Sequence, residues 1–68
     1  MEVKEKLICI RAILNLTQQA LASELGVTFS TLNRWERGSE PSLKNRVMID
    51  IYAKSHGIRF DEDSIITR

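Results

Sequence analysis

The sequence has few of the features that tie a chain to oxidising compartments or to membranes. One cysteine among 68 residues excludes an internal disulfide, and a lone thiol fits a reducing cytoplasm. No apolar run approaches the ~18 residues of a membrane span. The N-terminal stretch is too charged, and its apolar part too short, for a secretory signal. We therefore expect a cytoplasmic protein that does not contact a membrane.

Residues for catalysis and metal binding are also scarce. His56 is the only histidine, and no second His or Cys lies at metal-ligand spacing from it. The Ser and Asp residues lack a His arranged for a catalytic triad, and no Gly-rich loop is present that would cradle a phosphate. We expect no catalytic residues, no metal, no cofactor and no small-molecule substrate.

The chain has little net charge, +1 at pH 7, whereas nucleic-acid-binding domains are usually basic. The positions of the charged residues are more informative than their sum, because the acidic and basic residues are concentrated in different stretches. The acidic run occupies residues 61–63. Lys44 and Arg46 either meet phosphate or form ordinary exposed surface. The basic residues that gather between positions 34 and 46 are Arg34, Arg37, Lys44 and Arg46. One basic face is therefore compatible with the small net charge.

Helical spacing of apolar residues and helix-end signals predict four helices. They extend from Val3 to Leu14, from Gln18 to Leu25, over residues 28–37, and from Leu43 to about His56. The expected N-caps are Thr17, Thr28 and Ser42, and the expected stops are Asn15, Gly26, Gly38 and Gly57. Residues from about Asp61 onward form either a short fifth helix or a loosely held end.

Apolar stripes predict which side of a helix faces the core. In the third helix this side carries Leu32 and Trp35. In the fourth helix Ile49 makes the apolar surface unusually broad. Its predicted inward stripe consists of Leu43, Val47 and Ile51, with Met48 and Tyr52 beside it.

A short turn, Gly26-Val27-Thr28, joins the second and third helices. Two helices connected by three or four residues that include Gly form the helix-turn-helix pattern. The side of the third helix opposite Leu32 and Trp35 carries Ser, Asn and Arg side chains, which suit base edges and phosphates. We expect this helix to enter a DNA groove.

A resemblance to phage repressor and Cro proteins, the XRE-type group, covers about residues 5–58. It is carried by LTQQALASELGVTFSTLNRWERG, residues 16–38, by the following Pro41-Ser42-Leu43, and by Arg11. The resemblance implies an all-α fold, a compact four- to five-helix bundle of the lambda-repressor-like class. It also implies one DNA-binding domain over residues 1–68, with the motif at 17–37 and a C-terminal tail at 58–68.

The resemblance further implies roles for individual residues. Gln18 resembles a phosphate contact at the start of the second helix, and Thr28 resembles a cap residue that approaches the DNA backbone. Arg37 resembles a backbone contact at the end of the third helix. Arg11 and Glu36 resemble a partly buried ion pair that ties the first helix to the third. The positions that resemble base readers are Phe29, Ser30, Asn33 and Arg34.

Phe29 departs from the family pattern, in which a polar reader such as Gln is frequent at this position. A phenyl ring offers no hydrogen bond to a base edge, so we expect it to pack on a thymine methyl instead. Its alternative role is packing onto the second helix or onto a neighbouring subunit.

The function that these features predict is sequence-specific binding of double-stranded DNA by a small transcriptional regulator. The helix at 28–37 would read the major groove, and a homodimer would bind a two-fold operator. The candidate dimer contact is the apolar surface of the fourth helix together with three tail residues, Phe60, Ile65 and Ile66. The alternative role of this tail is to cover the chain's own core. The alternative function is a protein-interaction module, antitoxin-like or an adaptor, which the low net charge and Phe29 favour.

Overall fold

A computed structural model of the chain describes residues 1–60, which contain four α-helices and no β-strand. The predicted bounds of the first two helices match the observed ones. The third helix is one residue shorter at each end than predicted, because Thr28 and Arg37 are its cap residues. The predicted fifth helix from about Asp61 lies outside the described residues. The helices are α1 Val3–Leu14, α2 Gln18–Leu25, α3 Phe29–Glu36 and α4 Leu43–Ser55.

Hydroxyl side chains begin three of the helices, as the sequence predicts. The Thr17 hydroxyl accepts a hydrogen bond from the Ala20 backbone N–H at 3.0 Å. Thr28 and Ser42 accept the equivalent bonds at 3.1 and 3.3 Å. Each cap satisfies a backbone N–H that has no partner within its own helix, and replacing such a cap by Ala costs about 1 kcal/mol.

All four helices also end in the same way. Each is followed by a residue with positive φ: Asn15, Gly26, Gly38 and Gly57. After each of these residues, the next backbone N–H bonds back to a carbonyl five residues earlier, at 2.9–3.0 Å. This arrangement satisfies carbonyls that the helix leaves free. At Gly38 φ reaches 114°, a conformation that residues with a Cβ rarely adopt.

The core draws on all four helices and on the turn after α4. Helix α3 packs against α1 and α2, and α4 packs against the same two helices. The predicted burial of Leu32 and Trp35 is confirmed. The buried apolar residues are Leu7, Ile10, Leu21, Ala22, Leu25, Leu32, Trp35, Ile49, Ala53 and Ile58.

The predicted inward stripe of α4 is wrong. Leu43, Val47 and Ile51 are between 47% and 69% exposed, whereas Ile49 and Ala53 face the core. Charge favours this orientation, because the stripe that was expected to be buried has Lys54 within it and Lys44 and Asp50 on its two flanks. Burying that side would remove these charges from water, which is costly without partners. The buried side has uncharged neighbours on one flank, Asn45, Met48 and Tyr52, and its other flank carries Arg46 and Asp50, both of which stay exposed.

Two polar contacts join α4 to the other helices. The Tyr52 hydroxyl donates a hydrogen bond to Glu24 Oε1 at 3.1 Å, and Lys6 Nζ lies 3.2 Å from Asp50 Oδ1. Burial, reinforced by the bond to Glu24, raises the pKa of Tyr52, so the phenol keeps its proton. Within residues 1–60, no helix combines the length and the apolar composition that crossing a bilayer would require.

Candidate nucleic-acid interface

Helix α3 is anchored by its apolar side and presents a polar side to solvent. Leu32 and Trp35 are buried against α1 and α2. Helical geometry therefore directs the residues at the other positions away from the core. Phe29, Ser30, Arg34 and Arg37 are exposed, and Asn33 is partly exposed. We call these five residues the outer face of α3.

The C-terminal end of α3 is tied to α1 by an ion pair between Arg11 and Glu36. Arg11 Nε donates to Glu36 Oε2, and Arg11 Nη2 donates to Glu36 Oε1, both at 2.8 Å. The Glu36 side chain is only 6% exposed, against 27% for that of Arg11. These hydrogen bonds raise the pKa of Arg11, which stays charged. The pair lies behind the outer face rather than on it.

Glu36 also holds Gln18, and Gln18 in turn holds Asn33. Gln18 Nε2 donates to Glu36 Oε1 at 3.0 Å, and Asn33 Nδ2 donates to Gln18 Oε1 at 3.3 Å. A continuous series of hydrogen bonds therefore extends from Arg11 through Glu36 and Gln18 to Asn33. Each of the two amides keeps one N–H, and Asn33 keeps its oxygen, for a partner outside the chain.

The sequence predicted Gln18 and Asn33 as two separate DNA contacts, and it missed the bond between them. Helical periodicity indicates which residues share a side of one helix, but not which polar groups meet between two helices. The resemblance pointed to Glu36 only as the partner of Arg11. No signal in the sequence identified its second partner.

Thr28 uses its hydroxyl group within the chain. The oxygen accepts the Thr31 backbone N–H at 3.1 Å, and the hydroxyl donates to Thr31 Oγ1 at 2.9 Å. The hydroxyl proton is thus already engaged, and an approach to DNA would use the backbone or the remaining lone pair. The cap fixes the first turn of α3, where Phe29 and Ser30 lie.

The basic residues near α3 have no acidic partners in the part of the chain that the structure describes. Its ion pairs join Arg11 to Glu36 and Lys6 to Asp50. The exposed cations without an ion pair therefore include Arg34 on α3, Arg37 at its C-cap and Lys44 in the first turn of α4. Lys44 makes no hydrogen bond with the α3 residues among positions 1–60. Also within these positions, no group of three His, Cys, Asp or Glu side chains is arranged to hold a metal ion.

Comparison with known proteins agrees with this arrangement. A helix-turn-helix family model matches residues 10–45, which include α2, α3 and the ion-pair residues. The uncharacterized HTH-type transcriptional regulator MJ0272 of Methanocaldococcus jannaschii is 41% identical over 61 residues, which are 88% of each chain. No solved structure matches. The chain belongs to the XRE-type helix-turn-helix family of DNA-binding transcription regulators.

Proposed function

We propose that this chain is a small cytoplasmic transcriptional regulator that binds a specific double-stranded DNA site with α3 in the major groove. The observation that carries the proposal is the outer face of α3. Its arginines have no acidic partner within residues 1–60, Ser30 is exposed, and Asn33 is partly exposed. The name of the archaeal relative, an HTH-type transcriptional regulator, supports a regulatory role. We treat residues 1–68 as one lambda-repressor-like domain.

The N-terminus of α2 would bind one phosphate. The first backbone N–H groups of a helix have no intrahelical partners, and the helix dipole favours an anion there. Gln18 is the first residue of α2, and its spare amide N–H adds a donor. Because Glu36 and Asn33 hold this amide, Gln18 would lose little side-chain entropy on binding.

The outer face of α3 would read the bases. Arg34 suits a guanine, whose O6 and N7 accept two hydrogen bonds from a guanidinium. Asn33 and Ser30 offer donors and acceptors to neighbouring base edges. Cations beyond the base edges would meet phosphates, which contribute affinity without sequence preference. The phosphate contacts on this proposal come from Arg37, Lys44 and the cap residue Thr28.

A second copy of the chain would pack on the exposed side of α4. Leu43, Val47 and Ile51 are spaced one helical turn apart and form an apolar ridge that is open to solvent. Arg46 and Asp50 lie on the same flank of this ridge. In an antiparallel two-fold pairing of α4 with its copy, each Arg46 would therefore face an Asp50. Phe60 packs against the chain's own core, as the alternative for the tail predicted, and Ile65 and Ile66, which would extend the contact between copies, lie outside the described residues.

Selection of bound sequences from a pool of random duplexes tests the DNA-binding proposal. We expect a defined motif with two-fold symmetry. Arg34→Ala should then weaken binding to the selected site by about 1–3 kcal/mol. Lys4→Ala removes the same charge from the exposed start of α1, away from both proposed surfaces, and should have little effect. Recovery of random sequence, or equal losses in the two variants, would refute the assignment of this face.

The pairing through α4 has its own test. Val47→Asp places a charge on the ridge and should reduce the protein bound per selected duplex from two copies to one, measured by sedimentation velocity. Val47 is exposed, so the helical content should be unchanged by circular dichroism. Ala12→Asp adds the same charge to the exposed side of α1 and should leave two copies bound. Two copies of the Val47→Asp protein on one duplex would rule out this interface.

The alternative function is a protein-interaction module, antitoxin-like or an adaptor, with the same fold. The half-exposed ring of Phe29 and the small net charge favour it. Its signature in the selection experiment would be the absence of a motif, together with binding that does not respond to salt.

A further inference from the structure

Phe29 is the one residue of the outer face that has no hydrogen-bonding group on its side chain. It is the first residue of α3, and its side chain is about half exposed. It is neither buried in the core nor among the partly buried residues that pack against the core. A large aromatic group in this position is unexplained by the fold.

The first turn of α3 presents this ring from a fixed position. Thr28 caps the turn through two hydrogen bonds with Thr31, so the backbone that carries Phe29 is held in place. Ser30, the next residue, is small and leaves the ring accessible. The ring therefore projects from the end of α3 that the family fold would insert into the groove.

Base edges in the major groove carry hydrogen-bond donors and acceptors, with one apolar exception. That exception is the methyl group on C5 of thymine, and a Phe side chain is among the groups that contact it. A ring without donors or acceptors gains nothing from a bare polar edge, whose hydration it would disrupt. The C5 methyl group of thymine, in contrast, offers the ring apolar surface within the groove.

We infer that Phe29 makes this chain a reader of a pyrimidine C5 methyl group, so that thymine and 5-methylcytosine are accepted at one base pair and unmethylated cytosine is disfavoured. The two accepted bases carry the methyl on the same carbon and differ at C4, a position for which the ring has no hydrogen-bonding group. Cytosine methylation at that base pair would then strengthen binding and act as a regulatory signal. The inference rests on the proposed entry of α3 into the major groove.

Deoxyuridine substitution provides the test, because uracil lacks only the methyl group of thymine. In the selected duplex, each thymine is replaced in turn, and affinity is measured by fluorescence anisotropy. We expect one position per half-site at which uracil weakens binding about fourfold, the effect of losing one buried methyl. A cytosine at that position should bind less tightly than 5-methylcytosine by about the same factor.

Variants of Phe29 show whether this side chain causes the dependence of affinity on the C5 methyl group. In Phe29→Ala and Phe29→Gln, both methyl effects should disappear, whereas Ser30→Ala should retain them whatever its overall affinity. Circular dichroism of each variant establishes that the helices are intact.

Two results would overturn the inference. One is a motif in which no thymine responds to uracil, and the other is a methyl effect that survives both Phe29 variants. Either result leaves the proposed DNA-binding function standing if a motif was selected. Failure to select any motif would overturn the proposed function together with this inference.

Discussion

At the scale of single residues, the side chain of Glu36 connects three helices. Its carboxylate accepts two hydrogen bonds from Arg11 and one from Gln18, and the side chain is almost entirely buried. One residue therefore both joins α1 to α3 and positions a side chain proposed to contact phosphate. A partly buried charge pair of this kind is more costly to break on one side than its net contribution suggests.

Replacing Glu36 with Gln should destabilise the fold. The variant leaves the Arg11 guanidinium without its counter-charge, and we expect the free energy of unfolding to fall by about 2 kcal/mol. Urea unfolding, followed by the fluorescence of the single tryptophan, Trp35, measures the change.

The Lys6–Asp50 pair is the matched control for this prediction. It is more exposed, at 23% and 56% for the two side chains, so Asp50→Asn should cost less than about 1 kcal/mol. If the Glu36 and Asp50 variants lost equal free energy of unfolding, this would contradict the larger contribution that we expect from the Arg11–Glu36 pair.

The contacts of single residues were predictable only in part. The pairing of Arg11 with Glu36 was implied by the family resemblance, which matches residues to a pattern of known neighbours. The hydrogen bond that Asn33 donates to Gln18 was not predictable, because it depends on how α2 and α3 cross. Polar contacts between helices produce no periodic pattern of residue types from which they could be predicted.

At the scale of helices, α4 shows the limit of apolar patterns. Two apolar stripes compete on this helix, and the one formed by Leu43, Val47 and Ile51 faces solvent. The bounds of the helices were predictable because caps and left-handed stops act locally. The rotation of α4 about its axis does not follow from apolar spacing alone, because charged residues lie within and beside the stripe that has the regular spacing.

A pair of conservative substitutions tests this rotation. Ile49→Val removes one methylene group from the core and should cost about 0.5–1.5 kcal/mol of unfolding free energy. Ile51→Val removes the same group from the exposed ridge and should cost almost nothing in the monomer. Urea unfolding at low protein concentration compares the two variants, and a larger loss for Ile51→Val would mean that the ridge is buried.

At the scale of the whole molecule, the described residues present two unlike surfaces. The outer face of α3 is polar and basic, and the ridge of α4 is apolar and edged by charge. We propose that the first surface binds DNA and that the second binds another copy of the chain. The small net charge does not conflict with DNA binding, because the exposed Arg34, Arg37 and Lys44 have no acidic partner within residues 1–60.

The dependence of affinity on salt tests the central claim, that the outer face of α3 binds DNA, most directly. For the selected duplex, the logarithm of the binding constant should fall linearly with the logarithm of salt concentration, with a slope of about −0.9 for each phosphate contact. Arg37→Ala should reduce the magnitude of this slope by about one per bound copy, at every sequence tested. A flat response of the wild-type protein, or an unchanged slope in the variant, would contradict the claim.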